Sequence, residues 1–252
     1  MLSSSSLYGQ SISVDTLRAT QPWGIKESYT FPLVKVLGQE AISDSINSAL
    51  FREYVNVDGD DAEDRSLKGL WGEPGSNGMA RISSFRWSYT MPRPAIICIG
   101  FSGEYCGAYC EDFISHSAFD LNSGARIAYP ALFTSVGQKM ISDTLTQHWL
   151  SVMEDHISML EHERAVTTVD QEEIARLGST IDLYRNCLNE RMHTDPYIQD
   201  MEPLDNLMRF SFSRCSNHFD RALDELAPLY IDLPYSTLIE MIEPGSVRMF
   251  IE

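Results

Sequence analysis

The 252-residue chain carries 36 acids against 19 bases, a formal net charge of −17, which argues against a nucleic-acid partner because phosphate-binding surfaces are cationic. With 43% apolar and 10% aromatic residues it is no disordered tail. No stretch reaches the roughly 18 apolar residues of a membrane span; the longest, Ala95-Ile96-Ile97-Cys98-Ile99, is strand-sized.

Residues 1–26 are Ser-rich and lack periodicity, so they read as an irregular arm before one domain over 27–252 with two coupled halves, about 27–78 and 79–252. Tyr29, Phe31 and Leu33 alternate with other residues, the period of a half-buried strand. After Gly38, Ile42, Ile46, Ala49 and Leu50 recur at helical spacing and predict a helix over 39–54. Glycines and a proline make 56–78 a long loop.

Phe85, Trp87 and Tyr89 put three aromatics on one strand face, which reads as core. Met91-Pro92-Arg93-Pro94 is expected to break that strand. Residues 95–102 are apolar on both faces, which predicts a central strand. Gly103 and Gly107 bracket a bend before a long strand over 108–120. Asn122-Ser123-Gly124 is a hairpin turn, and Arg126–Tyr129 returns as a short strand.

The helical block is the clearest signal. Val136, Met140, Leu145, Trp149, Val152, Met153, Ile157 and Leu160 predict one amphipathic helix. Thr168 with Gln171, or Asp170 with Glu173, provides a capping-box start for a second, whose stripe is Ile174, Leu177, Ile181, Tyr184 and Leu188. The short connection makes the pair an antiparallel hairpin, ended by Pro196 and Pro203. Strands are expected over 207–214 and 230–233, with a turn or short helix over 216–227 between them and a terminal helix from Tyr235 to Ile242. Runs of strands and helices, rather than strict alternation, indicate an α+β fold with an antiparallel sheet and an acidic helical hairpin before the last strands.

Charge is segregated along the chain. Asp58, Asp60, Asp61, Glu63 and Asp64 form a run with no base, and residues 151–205 hold 13 acids against 4 bases. Such segregation suggests a surface for a basic partner. The expected partner-binding residues are that run together with Glu154, Asp155, Glu161, Glu163, Glu172 and Glu173.

Signs of chemistry are weaker. There is no nucleophile elbow, phosphate loop or dinucleotide fingerprint. The acidic run lacks the mid-loop glycine and terminal glutamate of a calcium loop. Cys106, Cys110, Cys215 and His218 lack the paired spacing of a zinc site, and a cysteine nucleophile with His116 or His218 as base has no readable activating context. His148 and His156 share a helix face but sit two turns apart, too far for one metal. No catalytic residue, metal or cofactor is therefore expected. Five cysteines (Cys98, Cys106, Cys110, Cys187, Cys215) are an odd, sparse set, read as reduced cytoplasmic thiols. The alternative is one disulfide with leftovers, for which Cys106 and Cys110 are the nearest pair. Met1-Leu-Ser-Ser-Ser-Ser-Leu-Tyr8 has neither the basic nor the apolar region of a signal peptide.

The order of these signals resembles the bacterial domain in the extracellular part of the RsiV anti-sigma factor, which also accompanies certain peptidoglycan deacetylases. The resemblance covers about 27–242. It is carried by Tyr29–Val36 with Ile42–Leu50, by Tyr105-Cys106-Gly107-Ala108-Tyr109, by Phe119-Asp120-Leu121-Asn122-Ser123-Gly124, by Ala131-Leu132-Phe133-Thr134 and by Leu233-Pro234-Tyr235-Ser236-Thr237-Leu238. Tyr109 stands where the family has histidine, Cys106 replaces a small residue, the usual leader or anchor is missing, and the helix around 161–205 is longer. The resemblance implies an antiparallel sheet covered by helices and a binding module; the anti-sigma member senses lysozyme, a basic hydrolase.

Together these readings predict a non-enzymatic, cytoplasmic immunity protein that neutralises a basic toxin. The alternative is a sensor or accessory domain for a cell-wall hydrolase or cell-wall ligand. A Cys/His metal-dependent hydrolase stands third.

Overall fold

The computed structural model describes residues 11–20, 28–55, 67–70, 81–106, 110–168, 170–191, 198–212, 224, 226 and 229–251. The fold is α+β with antiparallel sheets. The chain forms two compact units, one of residues 1–128, 202–206 and 246–252, the other of 129–201 and 207–245.

In the first unit, β1 (Ile12–Thr20) pairs antiparallel along the whole of β2 (Ser28–Val36). The expected irregular arm is thus a strand over these nine residues. Its signal was hidden because the half-buried positions, Ile12 and Val14, then Leu17 and Ala19, switch faces midway and erase the period of two.

Helix α1 (Glu40–Tyr54) is fastened to β2 by side chains that substitute for a neighbouring strand. The buried Asn47 amide accepts from Val34 N–H at 2.8 Å and donates to Val34 C=O at 2.9 Å. One turn earlier, Ser43 Oγ accepts from Val36 N–H at 2.9 Å and donates to Gln39 C=O at 3.2 Å. Four helical residues rise about 6 Å and two strand residues about 6.8 Å, so the i, i+4 pair meets alternate backbone groups of the strand.

Next come β3 (Arg81–Arg93), β4 (Ile96–Cys106) and β5 (Cys110–Asp120), an antiparallel sheet with β4 central, as its two-sided apolar run implied. Gly103 lies inside β4 rather than at a bend. Met91-Pro92 does not end β3; a register shift between Thr90 and Arg93 absorbs it, and within this sheet β3 is an edge strand, where a residue without N–H is tolerated. Phe85 is core and Trp87 packs against the core, but Tyr89 is 47% exposed, so the aromatic face runs out to solvent.

The core joins Phe31 of β2, Phe51 of α1, Phe85 of β3 and Phe101 of β4. Ring centroids are 4.7 Å apart for Phe31–Phe51, 5.6 Å for Phe31–Phe101 and 5.3 Å for Phe85–Phe101. Because residues before and after 78 share this core, the division between units falls at Ala128–Tyr129 and not near 78. Leu67 and Leu70, on a 3-10 turn within the expected long loop, belong to it as well.

The turn after β5 is held by Asp120, which accepts from Asn122 N–H at 2.9 Å and Ser123 Oγ at 2.7 Å. Gly124 has φ +71°, and a Cβ there would meet Ser45 Cβ at 3.0 Å, so both backbone shape and the approach of α1 require glycine. The expected return strand is reduced to one bridge, Phe119–Arg126.

In the second unit, the short α2 (Tyr129–Leu132) precedes α3 (Ser135–Val166), and α4 (Gln171–Arg191) completes the hairpin. Thr134 caps α3 by accepting from Gly137 N–H at 3.0 Å. Gly137 is irreplaceable by position: a Cβ would lie 2.4 Å from the Met241 carbonyl oxygen. The buried stripe of α3 is Gly137, Ile141, Leu145, Trp149, Met153 and Leu160. Val136 and Met140, expected on it, are 72% and 48% exposed. Leu177, Ile181, Tyr184 and Cys187 are buried on α4. Of the two capping readings the structure has Asp170, whose carboxylate accepts from Glu172 and Glu173 N–H at 3.0 and 3.1 Å.

A third sheet has the order β6 (Ile198–Pro203), β7 (Leu207–Phe212), β8 (Tyr230–Pro234). β6 was not expected, since its apolar residues Ile198 and Met201 are three apart. Helix α5 (Tyr235–Leu238) stops short of the expected Ile242, which instead bridges Phe133. A last turn of helix, α6 (Arg248–Ile251), belongs to the first unit. The expected turn or helix over 216–227 lies outside the described residues apart from Asp224 and Leu226.

Replacing Asn47 by Ala removes both hydrogen bonds and leaves a buried donor and acceptor of Val34 unsatisfied. Urea unfolding should show a loss of about 2–4 kcal/mol; a loss below about 0.5 kcal/mol would show that the amide does not hold α1 to β2.

Candidate functional site

The residues expected to meet a partner that the structure describes are divided between α3 and α4. Asp58, Asp60, Asp61, Glu63 and Asp64 lie outside the described residues. The other six lie on the α3–α4 hairpin. Glu161 pairs across it with Arg185, and Glu173 is held bidentate by Arg176 on its own helix at 2.7 and 2.8 Å. The Arg176 hydrogen bonds hold the Glu173 carboxyl below its usual range. Glu154, Asp155, Glu163 and Glu172 are exposed and have no ion-pair partner among the described residues.

The hairpin presenting them is firmly built. Tyr184, fully buried, donates its hydroxyl hydrogen to Asp224 Oδ1 at 3.0 Å and accepts from Leu226 N–H at 3.1 Å. The His156 ring meets Tyr184 edge-on at 5.0 Å. One turn along α4, Cys187 is disulfide-bonded. Cys98 is buried and is not in a disulfide. The structure therefore follows the alternative that includes a disulfide, and that disulfide involves Cys187.

One motif of the sequence resemblance meets the segment that follows another at the foot of α3. Thr134 N–H donates to Met241 C=O at 2.9 Å, Glu243 N–H donates to Leu132 C=O at 2.9 Å, and Phe133 bridges Ile242. Leu132-Phe133-Thr134 and the segment after Tyr235-Ser236-Thr237-Leu238 are thus a structural clasp. Tyr129, Phe133 and Phe210 pack beside it, with ring centroids 5.3–6.2 Å apart.

Of the residues weighed for chemistry, Gly107–Tyr109, Cys215 and His218 lie outside the described residues. His116 on β5 has Nε2 3.4 Å from Glu202. His148 and His162 are exposed on α3. Among the described residues no three His, Cys, Asp or Glu side chains gather at metal-binding distance.

Among the described residues, sequence reasoning missed a polar cluster between α1 and β5. Tyr54 at the end of α1 has its hydroxyl 2.8 Å from Ser115 Oγ and 3.1 Å from Ser117 Oγ on β5. Ser117 Oγ donates to Glu53 at 3.0 Å, and Arg126 donates to the other Glu53 oxygen at 2.6 Å. Its only sequence sign is the Ser115/Ser117 alternation on β5. Burial, then the Glu53 carboxylate, push the Tyr54 pKa from 10.0 up to about 12, outweighing the hydrogen bonds from Ser115 and Ser117 and the charge of Arg126. A phenol this reluctant to ionise is a poor base or nucleophile at neutral pH. The cluster ties α1 to β5.

No family model and no curated protein matches the chain. Solved structures share its fold. A DUF3298-family member from Bacteroides fragilis NCTC 9343 superposes with a TM-score of 0.51 at 12% identity, over 96% of this chain and 98% of that one. A DUF3298-family protein from Pseudomonas aeruginosa PAO1 gives 0.49 at 10% identity, over 94% and 95%. The chain is an α+β protein, and its fold is similar to that of the Bacteroides DUF3298 protein. At these identities the likeness concerns architecture alone.

Tyr54 makes a pH-dependent contribution. The unfolded chain ionises near pH 10 and the folded chain near 12. The stability linked to this phenol is therefore intact below pH 10, falls as pH rises toward 12 and is then exhausted, a span of at most about 3 kcal/mol. Urea unfolding from pH 8 to 12 should show a shallower alkaline decline in Tyr54→Phe than in the wild type; parallel declines would contradict the shifted phenol.

Proposed function

We propose that this chain is a non-enzymatic protein-binding module that receives a basic protein on its acidic helical hairpin. The observation that carries this reading is the exposure of Glu154, Asp155, Glu163 and Glu172 without ion-pair partners among the described residues, on a hairpin buttressed by buried Tyr184 and the Cys187 disulfide. Carboxylates on a rigid support steer a cationic partner and raise its association rate. The DUF3298 fold lends support, since RsiV-like ectodomains contain a DUF3298 domain.

In the setting that the acidic charge suggests, the partner is a toxin and the chain its cytoplasmic immunity protein. A second reading, contact with a cell-wall hydrolase or cell-wall ligand outside the cytoplasm, is favoured by one observation: Cys187 is disulfide-bonded, and disulfides persist mainly in oxidising compartments. Thiol trapping in the native host separates the settings. A blocked Cys187 supports the exported sensor, and a freely alkylated Cys187 supports the immunity protein.

The binding reading is tested with a basic hydrolase such as a lysozyme as probe. The quadruple variant E154Q/D155N/E163Q/E172Q should associate about tenfold more slowly at low salt, with little change in dissociation, and the difference should shrink as salt is raised. Failure of the wild type to bind any basic protein would overturn the reading.

A further inference from the structure

Resting on that reading, we propose that the partner is met by one stripe of α3, formed by Asp155, Met159, Glu163 and Val166, and that the element docking there is a basic amphipathic helix.

Met159 and Val166 are 54% and 60% exposed, although large apolar side chains on a helical surface gain by burial. They are seven residues apart, two helical turns. Asp155 and Glu163 each lie four residues from Met159, are exposed, and have no ion-pair partner among the described residues. With 3.6 residues per turn, all four fall in a stripe about 80° wide, turned away from the buried Met153 and Leu160. The stripe extends about 16 Å along the axis, three turns.

The remaining surface of the hairpin differs. Glu161 and Glu173 are neutralised by Arg185 and Arg176. Exposed Val136 and Met140, near the start of α3, flank Lys139, which pairs with Asp143 at 3.0 Å. Among the described residues of the hairpin, only the distal stripe sets exposed large apolar side chains between uncompensated acids. Its complement is a helix with apolar residues at i and i+7 and Lys or Arg beside them, the pattern of helix-on-helix recognition. A second copy of this chain is disfavoured as occupant, because two chains of net charge −17 would bring like-charged stripes together.

The test uses the full chain and two 18-residue peptide probes of equal charge. One is an amphipathic Leu/Lys helix; the other has Leu replaced by Ser. Calorimetry should show the amphipathic peptide binding wild type at least tenfold more tightly than the Ser peptide. M159S/V166S should remove that advantage and leave Ser-peptide binding unchanged, whereas V136S/M140S should preserve it. Equal loss in both variants, or an advantage within twofold of wild type in M159S/V166S, would overturn the stripe while keeping the acidic reading. Binding of neither peptide nor of the basic hydrolase would overturn both. Light scattering that shows a dimer lost only in M159S/V166S would assign the stripe to a second copy and overturn the proposal.

Discussion

The first unit depends on how the second strand's open edge is closed. That strand has β1 on one side, and an unpaired row of backbone donors and acceptors is costly when buried and adhesive when exposed. Here Asn47 and Ser43 of α1 provide the missing partners. A side-chain amide carries the same donor–acceptor pair as a peptide group, so a helix completes a strand without itself being one. The position of α1 then brings Phe51 onto Phe31 and the Tyr54 hydroxyl to Ser115 and Ser117, while Ser45 donates to the Gly124 carbonyl at 3.1 Å. One geometric match, four residues of helix against two of strand, thereby links three parts of the unit.

The second unit applies different physics to a different task. Its long helical hairpin needs little help from charge to fold, because a continuous apolar stripe on α3 and buried Leu177, Ile181 and Tyr184 on α4 supply the stabilisation. Exposed ion pairs such as Lys139–Asp143 add about 0–1 kcal/mol each. The surface is thus free to carry acids that do nothing for stability. Where Arg176 and Arg185 stand opposite, the negative charge is spent internally; where they do not, it is available to a partner. Net charge is a composition, but a docking surface is the part of that charge left uncompensated, with apolar side chains beside it.

The distant DUF3298 likeness fits this division. Leu132-Phe133-Thr134, which stood out as a motif, clasps backbone to backbone with Met241-Ile242-Glu243, just past the Tyr235–Leu238 motif, at the foot of α3. Asp120 to Gly124 is a turn that receives α1. Both segments hold elements of this fold together.

By itself the sequence determined the α+β class, a central strand over 95–102, α1, the hairpin and its acids, because each rests on local periodicity or on composition; that this strand runs on through Gly103 to Cys106 was decided by its pairing on both sides. It concealed β1, whose apolar positions change face, and β6, whose apolar residues are spaced by three. Only tertiary structure decided that Val136 and Met140 lie outside the buried stripe of α3, that Gly137 must pass under Met241, that residues on either side of 78 share a core, and that Tyr54 and Glu53 meet Ser115, Ser117 and Arg126. It also decided which acids are neutralised, since Glu161 meets Arg185 across the hairpin, 24 residues away in the chain. Periodicity reports which side of an element is apolar, but the partner on the far side of a contact is set by how elements pack, and no local pattern encodes that.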